Sequence, residues 1–398
     1  MELKNTKYRW VMAVLFVATS TIGMYFVMVT APIMTPMMED MGLSLKAAGW
    51  LSTIVTTVSG LFQLVGVIIL GRLGIKKCYI LAASLCVVGN ALCWIASSYP
   101  VLLIGRALVG VGFGIKGSMV AAVVIAWFTG KEIAAMFTAN SIGCQVMMLL
   151  SYNITVPMYQ AFGGSWQKIF MVCTIASVVL LVAWIVFGKD LESEKNREKA
   201  NPFAGLKQAF ASVDLWKLSI LMTALTILNY GVSFYYPTFL SAEKGISDAA
   251  ASSITSVQVV AGMIGTFLGG AAAMALKKRK SIIIPSCLLT IGAVILMLVF
   301  NSVPVLIVMM FAYGFVKNFN GPAVSTSSTE VKGMNPVMAS GANFMLYGFG
   351  SFLTMIIAPL LGSMAETIGL TMAMIVFCGA CAVIAAIASF VITETGKE

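Results

Sequence analysis

The sequence predicts an all-α membrane protein: twelve transmembrane helices in two pseudo-symmetric six-helix bundles. Three observations carry that reading. Apolar runs of about twenty residues recur along the chain, each long enough to cross a hydrocarbon core of roughly 30 Å. Of the 398 residues, 60% are hydrophobic and 10% charged, a balance that a water-soluble surface does not tolerate. The second half also repeats features of the first at a near-constant offset of 203 residues.

The twelve runs fall at 10–31, 48–70, 79–97, 101–127, 134–156, 168–188, 216–239, 250–275, 282–300, 304–326, 338–361 and 369–392. Lys4, Lys7 and Arg9 precede the first run, as basic residues precede a signal peptide. That run is longer than a usual signal core and has no small-residue cleavage site, so it reads as the first membrane helix.

Charge fixes the expected orientation. With the amino terminus inside and alternating sides, nineteen of the 25 Lys and Arg fall on inner segments. Lys46, Lys168 and Lys244 fall outside, and Arg106, Lys116 and Lys317 lie within spans. The excess of inner positive charge places both termini in the cytoplasm of a multi-pass plasma (inner) membrane protein. The net charge of +10 therefore reflects topology and contact with anionic membrane lipid, and nucleic acid is not an expected partner.

The duplication is read from several weak matches at one offset. Gly42-Leu43-Ser44 precedes the second span and Gly245-Ile246-Ser247 the eighth. Gly66 matches Gly269, and Lys76-Lys77 matches Arg279-Lys280. One residue out of register, Pro100 and Gly110 match Pro304 and Gly314, while Ala139-Asn140 and Ala342-Asn343 return to the original shift. The expected organisation is an N-terminal bundle at 1–188, a cytoplasmic linker at 189–214 and a C-terminal bundle at 215–398. The linker carries a run of charge and a candidate short interfacial helix near Pro202–Ala211.

This layout resembles the major facilitator superfamily over the whole chain. Gly71-Arg72-Leu73-Gly74-Ile75-Lys76-Lys77 is similar to that family's loop after the second span, with Gly71 where an Asp is usual. Arg106 with Gly110 resembles the fourth-span signature, and Gly164-Ser165-Trp166-Gln167-Lys168-Ile169-Phe170 the aromatic start of the sixth span. The resemblance implies parallel repeats with substrate held at mid-depth between them, the fourth and tenth spans facing a central cavity. Ala126-Trp127-Phe128, Lys131-Glu132 and Ala139-Asn140-Ser141-Ile142-Gly143 are loosely similar to the oxalate/formate antiporter branch, which carries organic anions. That branch uses basic residues on its eighth and eleventh spans, where this chain has none, so only the logic of paired cations carries over.

The three intramembrane cations are the leading functional candidates. A charge in hydrocarbon costs at least a few kcal/mol and marks a site by default. All 15 Asp and Glu lie in loops or at span edges, and the chain has no His. At 1.5 Å per residue Lys116 lies about 24 Å below Pro100, and Lys317 about 20 Å below Pro304, beyond the reach of snorkelling. Binding of an anionic substrate is the reading adopted for both; bonding to helix carbonyls and misplaced span boundaries remain open. Arg106 is a substrate candidate too, although its family counterpart is often structural.

Polar groups within other spans are candidates to complete a substrate-binding cavity. They are Tyr25, Gln145, Asn229, Tyr230, Gln258, Asn318, Asn320, Asn343 and Tyr347, with interhelical hydrogen bonding the competing role for each. Tyr235-Tyr236-Pro237 reads as an interfacial belt and helix break. No catalytic residue, metal site or cofactor is expected: Cys378 and Cys381 form a C-x-x-C without further ligands, and no phosphate-loop motif supports ATP drive.

The expected function is secondary transport of a small organic anion, a carboxylate or dicarboxylate, by alternating access. Exchange or uniport is favoured because no Asp, Glu or His stands ready to carry a proton. Proton-coupled symport of a monocarboxylate or larger amphipathic acid is the alternative, with a lysine titrating. The chain is not expected to be an enzyme, and it is expected to act as a monomer.

Overall fold

A computed structural model describes residues 7–128, 131–190, 202–276, 278–334 and 336–395. The described chain is helical and contains no strand. Among the described residues, eleven helices are long and apolar enough to cross a membrane. The helix Lys131–Ala161, at the fifth expected position, stands beside these eleven.

The chain divides into two compact units, Met1–Gly42 with Trp50–Ala200, and Leu43–Gly49 with Asn201–Glu398. In the first, the helices Tyr8–Met28, Leu45–Leu70 (from Trp50 onward), Leu73–Trp94, Tyr99–Trp127, Lys131–Ala161 and Trp166–Phe187 follow one another. Its core includes Phe16, Tyr79, Trp127 and Trp184, with the rings of Tyr79 and Trp184 stacked at 4.1 Å. In the second, Val213–Lys244, Asp248–Ala275, Lys280–Val299 and Val303–Phe319 are followed by a broken eleventh element and by Leu370–Val391.

The internal duplication is visible in the geometry. Gly42 and Gly245 both end a helix in the left-handed conformation, φ 61° and 66°, which only glycine adopts freely. Ser98 and Ser302 are the N-caps of the fourth and tenth helices, each with a proline in the first turn, where the missing N–H costs no helical bond. The second helix packs against the fourth, and the eighth against the tenth, at equivalent glycines. A Cβ on Gly110 would strike the carbonyl of Val55, and one on Gly314 that of Gln258, 203 residues further on. Small residues let membrane helices approach this closely.

The tenth and eleventh spans are present as Val303–Ser328 and Gly341–Ile368, and four details of the expected course differ. The first helix ends at Met28; a short 3-10 turn, Ala31–Ile33, containing Pro32, leads into Met34–Met41. The tenth span, expected to run on to 326, breaks at Asn320, and Gly321–Thr329 starts a new helix with Pro322 in its first turn. The eleventh is segmented: Pro336–Asn343, a π turn Phe344–Gly348, Phe349–Leu353, a 3-10 turn Thr354–Ile356, then Ile357–Ile368. The Tyr235-Tyr236-Pro237 stretch is neither belt nor break: both tyrosines are buried and the helix continues through Pro237 to Lys244. Membrane helices accommodate proline where neighbours satisfy the freed carbonyl.

A short helix, Pro202–Phe210, occupies the expected interfacial position. It packs against Pro336–Asn343, where Gly341 meets the carbonyl of Gly205, and Phe210 meets Trp216 edge-on at 5.1 Å. Most of the charged linker run, residues 191–201, lies outside the described residues.

Candidate functional site

In the first unit Lys116 sits on the continuous helix Tyr99–Trp127 and is 2% exposed. Its ammonium lies 5.9 Å from the centre of the Phe113 ring, a cation–π contact, and faces Gly23 of the first helix. The three ion pairs among the described residues are Arg9–Glu132, Lys217–Asp214 and Arg279–Glu330, and none involves an intramembrane cation. Tyr25 bonds Thr155 of the fifth helix at 3.0 Å, and Gln145 is half-buried on that same helix.

Arg106 is placed differently from the other two cations. It is fully buried, and its guanidinium donates to the carbonyls of Leu51 at 2.9 Å, Phe26 at 2.6 Å and Val27 at 2.9 Å. A longer bond of 3.5 Å reaches Thr30, whose hydroxyl also bonds Ser52. Phe26 and Val27 belong to the last turn of the first helix, where carbonyls have no intrahelical partner. Arg106 thus caps the broken first helix and ties it to the second, a structural position within one unit.

In the second unit Lys317 is half-buried near the end of the tenth helix. Its ammonium donates to Asn229 Oδ1 of the seventh helix and lies 5.8 Å from the Tyr313 ring centre. Tyr230, adjacent to Asn229, stacks on Phe234. Tyr347, exposed and set on the π turn, bonds Ser325 at 2.5 Å, joining the eleventh element to the helix beyond the tenth-helix break. Asn343 is exposed one turn earlier. π turns recur at functional sites because the extra residue re-aims side chains.

The remaining candidates do not gather around Lys317. Asn320 is buried and reaches Cys287 of the ninth helix at 3.6 Å. Gln258 is buried with its amide nitrogen 3.5 Å from Ser233. Asn318 bonds the Gly314 carbonyl one turn back. Lys116 and Lys317, by contrast, each bring an ammonium to the side of a neighbouring helix with no carboxylate at ion-pair distance among the described residues.

Two acidic caps, not among the residues singled out from the sequence, recur with the duplication. Asp190 accepts from the backbone N–H of Lys76 at 2.7 Å, and Glu394 accepts from those of Arg279 at 2.7 Å and Lys280 at 3.1 Å. Each acid closes the exposed amino end of the third or ninth helix from just past the end of the sixth or twelfth. The Glu330 carboxylate beside Arg279 raises that guanidinium's pKa above its ordinary value. The signal in the sequence was an acid at matching places after the sixth and twelfth spans.

This architecture is that of a membrane carrier, and the comparisons with known proteins give the class a name. The Major Facilitator Superfamily model matches residues 11–353 and 233–398, and the chain belongs to that family. It is a membrane transporter and not an enzyme. It is 25% identical over 274 residues to an uncharacterized protein of Campylobacter jejuni, covering 67% of this chain and 81% of that one. It is 26% identical over 241 residues to the hexuronate transporter of Bacillus subtilis, covering 58% and 56%. It is 28% identical over 205 residues to the purine ribonucleoside efflux pump NepI of Salmonella paratyphi A, covering 50% and 49%. The match thus spans about half the length of these last two carriers. Two solved structures share the fold at low identity. A bacterial homologue of the human lysosomal transporter Spinster gives a TM-score of 0.76 at 15% identity, covering 97% of each chain. The D-xylose-proton symporter gives 0.75 at 14%, covering 98% of this chain and 99% of that one.

Proposed function

We propose that this transporter carries a small organic anion, most simply a carboxylate, and that Lys116 and Lys317 supply its counter-charge. The observation that carries the proposal is the pair of intramembrane ammoniums, one from each half, with no ion-pair partner among the described residues. An uncompensated cation in hydrocarbon is unfavourable, and an anionic substrate offsets that cost. The chain's similarity to a hexuronate transporter supports the reading, since a hexuronate is itself a sugar acid. Asn229, which holds the Lys317 ammonium, and Tyr230, Asn343 and Tyr347 complete the proposed polar surface of the second half; Tyr25 and Gln145 do so in the first. Arg106, Gln258 and Asn320 support the helices around it.

Transport proceeds by exchange of one anion for another, in a monomer embedded in the plasma membrane with both termini cytoplasmic. Thermal-shift titration of the purified protein tests the substrate class. D-glucuronate, oxalate and succinate are the charged probes; adenosine and D-xylose are the neutral ones. At least one carboxylate is expected to raise the melting temperature in a concentration-dependent way. Stabilisation by the neutral solutes alone contradicts the proposal.

A further inference from the structure

The two ammoniums stand in unlike surroundings, and the neighbouring helix makes the difference. Lys317 meets an amide oxygen, Asn229 Oδ1 on the seventh helix. Lys116 meets the first helix at Gly23, where a Cβ would lie 2.9 Å from its Nζ and 3.1 Å from the Phe113 ring. No described residue offers the Lys116 ammonium a hydrogen-bond acceptor there.

Gly23 has no conformational reason to be glycine. It lies inside the helix Tyr8–Met28 and is not among the glycines with positive φ. Glycine within a helix is unfavourable relative to alanine, so its presence calls for a packing reason. The atoms that a side chain would meet supply one: they are the tip of Lys116 and the ring beside it.

We propose that Gly23 is the positioning residue for Lys116. Its bare backbone fixes where the ammonium rests against the first helix and denies it a protein acceptor, leaving that charge to the transported anion. Lys317 is the anchored cation of the pair, and Lys116 is the one whose partner is the substrate. This inference rests on the reading that Lys116 binds the anion.

The test uses the full-length carrier and whichever of D-glucuronate, oxalate or succinate stabilises the parent most. Binding and initial uptake rates are measured for Gly23→Ala, Lys116→Met, the double variant, and Gly292→Ala as a control with open space around its would-be Cβ. Gly23→Ala is expected to raise KM about tenfold while leaving maximal rate near the parent's, because contacting residues couple strongly. In the Lys116→Met background the same alanine should add nothing, and Gly292→Ala should behave like the parent. Phe113→Ala combined with Gly23→Ala is the second arm: affinity should stay low, since the displaced group is the ammonium. Equal weakening in both Lys116 backgrounds, recovery on removing the Phe113 ring, parental affinity in Gly23→Ala, or its failure to fold would each overturn the inference. Parental affinity in Lys116→Met, or no binding of any carboxylate, overturns instead the reading on which it rests.

Discussion

Replacing Arg106 with leucine is expected to destabilise the first half by about 2–4 kcal/mol, whatever it does to transport. The guanidinium donates to three backbone carbonyls and a hydroxyl while fully buried. Leucine leaves the carbonyls of Phe26 and Val27 without a donor at the end of the first helix, where water does not reach. Each buried orphan acceptor costs about 1–3 kcal/mol. Lysine should not rescue. Its three donors radiate from one atom, whereas the guanidinium spans carbonyls on two helices as a planar fork. Melting of the detergent-solubilised variants, followed by size-exclusion, checks this. An Arg106→Lys protein that melts like the parent yet transports nothing would point to a substrate contact in place of the cap.

Lys116→Met and Lys317→Met should have the opposite profile. Anion affinity is expected to fall about 30-fold or more in each, since losing one charge of a buried charge–charge contact costs about 2–5 kcal/mol. The folded protein should melt no lower than the parent, and Lys116→Met should melt higher. Lys116 is buried with no ion-pair partner among the described residues, so an apolar side chain of similar length removes an unfavourable burial. Lys116→Arg is expected to recover little, because a planar fork does not fit where a compact ammonium rests against Gly23. Binding titrations and melting curves on the same preparations separate the two effects. Parental affinity in both methionine variants would make the lysines structural.

Much of this architecture is written in the amino-acid order. Long apolar runs mark membrane helices, and a glycine at a left-handed helix end, such as Gly42 or Gly245, marks where two of them stop. Lys116 and Lys317 stood out because an isolated charge among apolar residues needs a reason. Helix breaks were harder to read. Asn320-Gly321-Pro322 carries a strong turn signal, but a hydropathy window averages it into its apolar surroundings, and the segmented eleventh helix is masked in the same way. The role of Arg106 depends on which carbonyls other helices bring to it, and that is a property of packing. Tyr235 and Tyr236 have the composition of an interfacial belt, yet neighbouring helices bury them. Gly23 could not be distinguished from the other glycines until its neighbours were known.

If an anion supplies the counter-charge for the two lysines, the loaded carrier reorients readily and the empty one slowly. Efflux of a labelled carboxylate from vesicles containing the purified protein tests this most directly. Slow efflux into buffer is expected, with marked acceleration when the same unlabelled carboxylate is added outside. Uptake into empty vesicles that follows an imposed pH gradient, with no stimulation by anion on the far side, would contradict it and make a titrating Lys116 or Lys317 the coupling group.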